Sequence, residues 1–332
     1  MKKRMLFLTT LFLINFWNTV AQDLQLLMEK KGDFKLINWG IYTNCIQCGY
    51  TPTEEKSNWN ELTQLAEIFH QTPILREPTG FKSKVLLYHQ YFGDPKDRYG
   101  IPGQMKFQFC YFFKNSKNQE VSQDIEPPAF NVILNQIYST YGSNMGFRES
   151  DNNKVKEKFY FFTPDKKETL APGIDRYADE HIIIYNPNRP DYWIPVTIQE
   201  IFDYWIAYYQ QEKDQYTREL TLKILQDQLA LFTEDERKQN AYFGARGEIP
   251  LLTVDTQVND RPLMQENLAY WDKSLSRSKV QILQLNLLKD QKRYEKEAEQ
   301  ELKNGDGGLH LKRFLASLDL EFLIKLQQFI EK

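Results

Sequence analysis

The hydrophobic period of this chain changes once, at Val196-Thr197-Ile198-Gln199-Glu200-Ile201, and the change restricts the fold to one that holds both strands and helices. Between Phe34 and Ile184, short segments rich in Val, Ile, Tyr and Phe are separated by Gly, Pro, Asn and Asp, the pattern of strands and turns. The clearest predicted strands cover residues 85–92, 107–113, 159–163 and 181–185. One helix is expected among them. Asn58 has N-cap spacing to Glu61, and Leu62, Leu65, Ala66 and Phe69 share a face before Pro73. After the change, Thr197 and Glu200 form a capping box and Val196 can staple onto Ile201. Apolar residues then recur at spacings of three or four, so the sequence predicts a helix running to about residue 231, roughly 50 Å long at 1.5 Å per residue. Thr233 and Glu236 repeat the box and predict a second, short helix. Residues 279–288 fit strand and helix equally. Residues 289–303 read as a solvated helix, 304–308 as a break, and 309–330 as a helix with an apolar stripe. The fold class expected is α+β. A mixed or antiparallel sheet in the N-terminal half, residues 22–194, packs against the long amphipathic helix and helical C-terminal segment of residues 195–332, as one globular unit.

Residues 1–21 carry an address. Lys2, Lys3 and Arg4 precede an apolar run from Met5 to Phe16, and Thr19-Val20-Ala21 supplies the small residues of a cleavage site. Cleavage near Ala21 takes the formal charge from −3 to −6, because three basic residues leave with the leader. That balance speaks against nucleic acid as a partner. No later apolar run reaches the roughly 18 to 20 residues that a bilayer requires, so no transmembrane anchor is expected. The first cysteine, Cys45, lies too far from the cleavage site to carry a lipid. The expected location is the periplasm or the medium.

Few residues carry chemistry in a recognisable pattern. The histidines, His70, His89, His181 and His310, show no paired spacing, and no metal site or cofactor is expected. Cys45 and Cys48 have the spacing of a small disulfide, of a redox pair, or of half a zinc knuckle, whereas Cys110 sits in a strand-like run and reads as a buried hydrophobe. Ser276 and Lys279 match a serine–lysine pattern that lacks its companion motifs.

The segment from Asp175 to His181 gathers acids, Arg176 and an imidazole ahead of the apolar run Ile182-Ile183-Ile184. Asp179, Glu180 and His181 are the candidate catalytic residues of a metal-independent hydrolase acting on glycan or peptide, provided a second carboxylate faces them across a cleft. A solvated loop with a salt bridge is the simpler reading. The turn from Tyr185 to Pro195 presents Tyr192 and Trp193, candidate binding residues together with Arg176. Such rings serve as stacking platforms for a protein or glycan partner, or plug a joint between sheet and helix.

The Ala21-Gln22 junction, residues 73–81, Trp193-Ile194-Pro195-Val196-Thr197 and residues 267–275 together resemble uncharacterised secreted proteins of the Bacteroidota type. The resemblance implies export and an envelope setting, and a strand for the leucines after residue 275, where such proteins carry a proline and this chain has Ser276. The functional expectation is a non-catalytic binding or interaction protein, with the hydrolase as its rival.

Overall fold

Alternation builds the main sheet. The structure, a computed structural model, describes residues 25–38, 50–89, 99–137, 141–151, 154–178, 180–244, 252–257 and 260–331. The first half contributes strands β1 (Gln25–Leu26), β2 (Phe34–Asn38), β3 (Phe81–His89), β4 (Gly103–Lys114), β5 (Glu120–Ser122), β6 (Ala129–Leu134), β7 (Tyr141–Asp151), β8 (Lys154–Pro164), β9 (Lys167–Ala171), β10 (Ile174–Tyr177), β11 (His181–Tyr185) and β12 (Trp193–Pro195). Helices α1 (Pro52–His70) and α2 (Pro73–Arg76) separate β2 from β3. The second half contributes α3 (Ile198–Tyr209), α4 (Gln215–Leu229), α5 (Glu234–Arg237), β13 (Tyr242–Phe243), β14 (Leu252–Thr253), β15 (Met264–Glu266), β16 (Ile282–Asn286), α6 (Gln291–Asn304), α7 (Leu309–Ala316) and α8 (Leu320–Gln327).

The main sheet runs β2-β3-β4-β6-β16-β11-β10-β9, with β1 and β5 also paired to β4. It is mixed, since β2 and β3 are parallel and the other pairs antiparallel. The fold is therefore α+β, as the sequence implies. The ambiguous residues 279–288 resolve as a strand: β16 enters the middle of the sheet, Leu283 opposite Leu134 on one side and Ile184 on the other. One face of this sheet, with Phe107 and Phe109 of β4, Phe130 of β6, and Leu283 and Leu285 of β16, is covered by α1, α7 and α8. Phe69 of α1 and Phe314 of α7 meet over Phe107, with ring centroids 4.9 Å (Phe69) and 6.0 Å (Phe314) from its own.

A smaller sheet, β12-β15-β8-β7, lies on the opposite side. Neighbouring residues of β8 point to opposite faces, as a strand requires. Phe162 packs with Tyr177, Ile183 and Ile282 of the main sheet, whereas Phe161 packs with Phe202 and Trp205 of α3 and Leu225 of α4. The molecule is thus four layers deep: helices, main sheet, small sheet, and the α3–α4 pair outermost.

Three helix expectations need correction. The predicted 50 Å helix is two helices, because α3 ends at Tyr209 and Asp214 starts α4 by accepting from the Thr217 amide. The first helix starts at Pro52, earlier than Asn58, because Thr51 and Glu54 form its capping box; Asn58 faces inward and is fully buried. The segment 309–330 breaks at Ser317, and Asp319 caps a second helix. The Thr197–Glu200 and Thr233–Glu236 boxes stand where the sequence places them. Residues 1–24, with the leader and the Ala21 junction, lie outside the described residues. Among those described, no helix is long and apolar enough to cross a membrane.

Candidate functional site

Asp175, Tyr177, Tyr192 and Trp193 are drawn together by the sheet, but into its interior. Asp175 and Tyr177 alternate onto the same face of β10, and Tyr192 reaches them from the turn before β12. The Tyr192 hydroxyl donates to Asp175 Oδ2 at 2.8 Å and lies 2.6 Å from the Tyr177 hydroxyl, while Thr169 donates to Asp175 Oδ1 at 2.8 Å. The Lys167 ammonium stands 3.5 Å from the same carboxyl group, which is wholly buried. Burial, followed by the neighbouring Tyr177 and Asp175, holds the Tyr192 phenol far above its ordinary pKa; burial does the same for Tyr177 and Tyr185. A carboxyl group with hydroxyl partners on both oxygens and no solvent is a structural hub.

Tyr192 and Trp193 are therefore a plug, which corrects their reading as displayed binding rings. They are 8% and 5% exposed, and Trp193 lies edge-on to Phe162 with centroids 4.8 Å apart. The cavity they help to line holds about 20 Å³, room for a single water. Arg176, the third candidate binding residue, is engaged through Nε and Nη2 by Glu168 across the β9–β10 pair. The turn that carries the plug is itself clamped, since Arg189 binds both Asp272 and Glu331. That contact to Arg189 draws the Asp272 carboxyl down to about 2.

The candidate catalytic residues do not assemble a cleft. Asp179 lies outside the described residues. Glu180 is exposed, and its backbone carbonyl accepts from the amides of Leu287 and Leu288, so this position anchors the turn after β16. His181 is half-buried, with Nδ1 3.2 Å from Asn286 Oδ1 on the neighbouring strand. Lys279 does not approach Ser276 as an activating base; its ammonium is held 2.7 Å from Glu61 of α1. Ser276 instead begins a hydroxyl chain through Ser278 to Ser57, each link 2.8 Å. Cys45 and Cys48 lie outside the described residues, and Cys110 is a buried free cysteine whose thiol burial pushes up to about 11. Among the described residues, no three His, Cys, Asp or Glu side chains are grouped to hold a metal ion.

What the structure does expose is apolar surface on the outermost layer. Tyr216, Leu220 and Ile224 of α4 are 75%, 47% and 46% accessible. At 100° per residue, side chains four apart advance by about 40°, so these three form one ridge within an arc of about 80°. Leu225 and Leu229, on the far side of the same helix, pack into the core beneath α3. The helix is therefore apolar on two faces, only one of which its own fold uses. Just past its end, Leu231 is also exposed. The recurrence at three and four residues reads in the sequence as one apolar stripe that could lie on the chain's own sheet or pair with a second subunit; the signal that separates two faces is angular, because Tyr216 and Leu225 lie about 180° apart. A second concavity, about 520 Å³ and open, lies between the end of α1 and α8, with Thr72, Phe322 and Lys325 among its lining.

No family model, curated protein or solved structure matches this chain.

Proposed function

We propose that this chain is exported with loss of residues 1–21 and acts in the cell envelope or outside the cell as a binding protein whose partner-facing surface is the outer ridge of α4. The single observation that carries the reading is Tyr216, Leu220 and Ile224 in helical register and open to solvent. Scattered apolar residues on a surface are ordinary, but a register-true row on one helix is the form in which helices present anchors to a partner. A large aromatic at one end supports the same reading, since Tyr gives contact area at low entropic cost. The charged leader ahead of an apolar run supports export.

Two measurements test this. Mass spectrometry of the protein recovered from its native cells should find a mature N-terminus at Gln22; folded product that retains Met1 would end the export half. A photo-crosslinking residue placed at position 216 or 224 should give a discrete adduct in the envelope fraction, absent when the probe stands at Glu299 on the exposed side of α6. A probe at 216 that captures nothing above the Glu299 background rules out α4 as the partner surface.

A further inference from the structure

The face of the main sheet turned away from α1, α7 and α8 gathers lysines over β2, β3 and β4. We propose that this part of the face, with the loop between β5 and β6 that crosses it, docks on an anionic lipid bilayer. The lysines meet the headgroups and Ile125 enters between them. The surface is separate from the α4 ridge and does not depend on it.

Register brings the lysines together. Residues opposite one another in paired strands project to the same face, so Lys35 stands beside Lys84, Lys82 beside Cys110, and Lys106 between Leu86 and Asn131. Lys114 follows Lys106 along β4 by an even number of residues and shares its face. Lys30 joins them, its ammonium 4.9 Å from the centre of the Phe112 ring. Carboxylates are fewer. Lys82 and Lys84 share Asp124 at 3.1 and 2.6 Å, Lys30 takes Glu120, which lies opposite Lys114, and Lys35 takes Asp33. Lys106 has no carboxylate partner among the described residues. Even with Glu126 of the loop counted, the patch is positive on a chain whose formal charge is −3.

The loop supplies the apolar element. Ser122 and Ala129 pair with β4, yet Asp124 between them reaches Lys82 and Lys84 of β3, so the loop lies across β4 above the buried Cys110. Ile125, next to Asp124, is 79% accessible. Its neighbours are pinned: Ser122 donates to Asp124, the Gln123 amide donates to the Ile125 carbonyl, and Pro127-Pro128 stiffen the exit. Glu126 holds φ 48°, a left-handed conformation that is costly without glycine and persists where a geometry is used. A rigid apolar side chain standing over lysines combines the two attractions, apolar burial and charge, that together hold a protein on an anionic surface.

Vesicle cosedimentation of the mature protein, free of the apolar leader, tests this. It should bind vesicles of roughly three parts phosphatidylcholine to one of phosphatidylglycerol, ignore phosphatidylcholine alone, and release as salt rises from about 50 to about 300 mM. Lys35→Gln and Lys106→Gln should each lower partitioning by about fivefold, whereas Lys292→Gln and Lys296→Gln on the exposed side of α6 should leave it unchanged. Ile125→Ser should lower it by about tenfold. Thermal midpoints equal to that of the unsubstituted protein show that each variant is folded. No binding to the phosphatidylglycerol vesicles at low salt, or equal losses from the α6 pair, overturns the lysine face as the docking surface. Full binding by Ile125→Ser overturns the insertion.

Discussion

The Tyr192 hydroxyl stands between Tyr177 and Asp175 in a site without solvent, and its removal can be followed by stability alone. Tyr192→Phe preserves the ring that fills the joint and deletes one hydrogen bond to a carboxyl group, which should cost about 1.5–3 kcal/mol in urea unfolding with the native fold kept. A value near zero would mean that Thr169 and Lys167 satisfy Asp175 unaided. His310 gives a second residue-scale prediction. It is 1% exposed, stacks on Phe81 with centroids 4.8 Å apart, and its Nε2 has no hydrogen-bond partner among the described residues. Burial, with Arg313 adding to it, lowers its pKa from 6.5 to about 4. The unfolded chain therefore takes up a proton between these values that the native chain refuses. The stability is complete above pH 6.5, falls by an order-of-magnitude ~3 kcal/mol as pH drops towards 4, and changes no further below that through this group. Denaturation midpoints between pH 7 and 4 should show the decline, and His310→Phe should flatten it. None of this was legible from residue types. Asp175 sits among acids and an Arg that read as a solvated loop, and only the pairing of β10 with β9 and β11 turns Asp175 and Tyr177 inward while Arg176 turns to Glu168.

Helix starts were more legible than helix ends. Thr197 accepts from the Glu200 amide and Glu200 from the Thr197 amide, a contact contained in four residues and hence visible in sequence. Thr197→Ala should destabilise the protein by about 1 kcal/mol, and Thr197→Ser should recover most of it; both are read from thermal midpoints. The break between α3 and α4 left no such mark, because Tyr208, Tyr209 and Tyr216 keep the spacing of an unbroken helix across it. Asp214 was the available clue, a capping side chain ahead of Gln215. Periodicity also could not separate a buried face from an exposed one. Both are apolar in α4, and only the position of the rest of the molecule distinguishes them.

At the scale of the whole molecule, the division at residues 194 and 195 marks a change of secondary structure and not a boundary between units. β16 comes from the second half and lies between β6 and β11 of the first, and Lys279 binds Glu61 across the same divide. Residues 22–194 expressed alone should therefore lack cooperative unfolding, and the intact chain should lose its main-sheet and α1 signals in one transition. A separate, earlier melt of α1 would contradict the shared core. The α+β class was readable because it depends on period alone. The insertion was not, since residues 282–286 carry no local sign of the strands they join.

The position of β16 also bears on the order of events during synthesis. The sheet has a gap at its centre until residues 282–286 emerge, and the turn before β12 is not fastened until Glu331 reaches Arg189. A nascent chain built this way lacks both its central strand and the clamp on that turn until almost all of it has been made, so its last residues complete what its first ones begin.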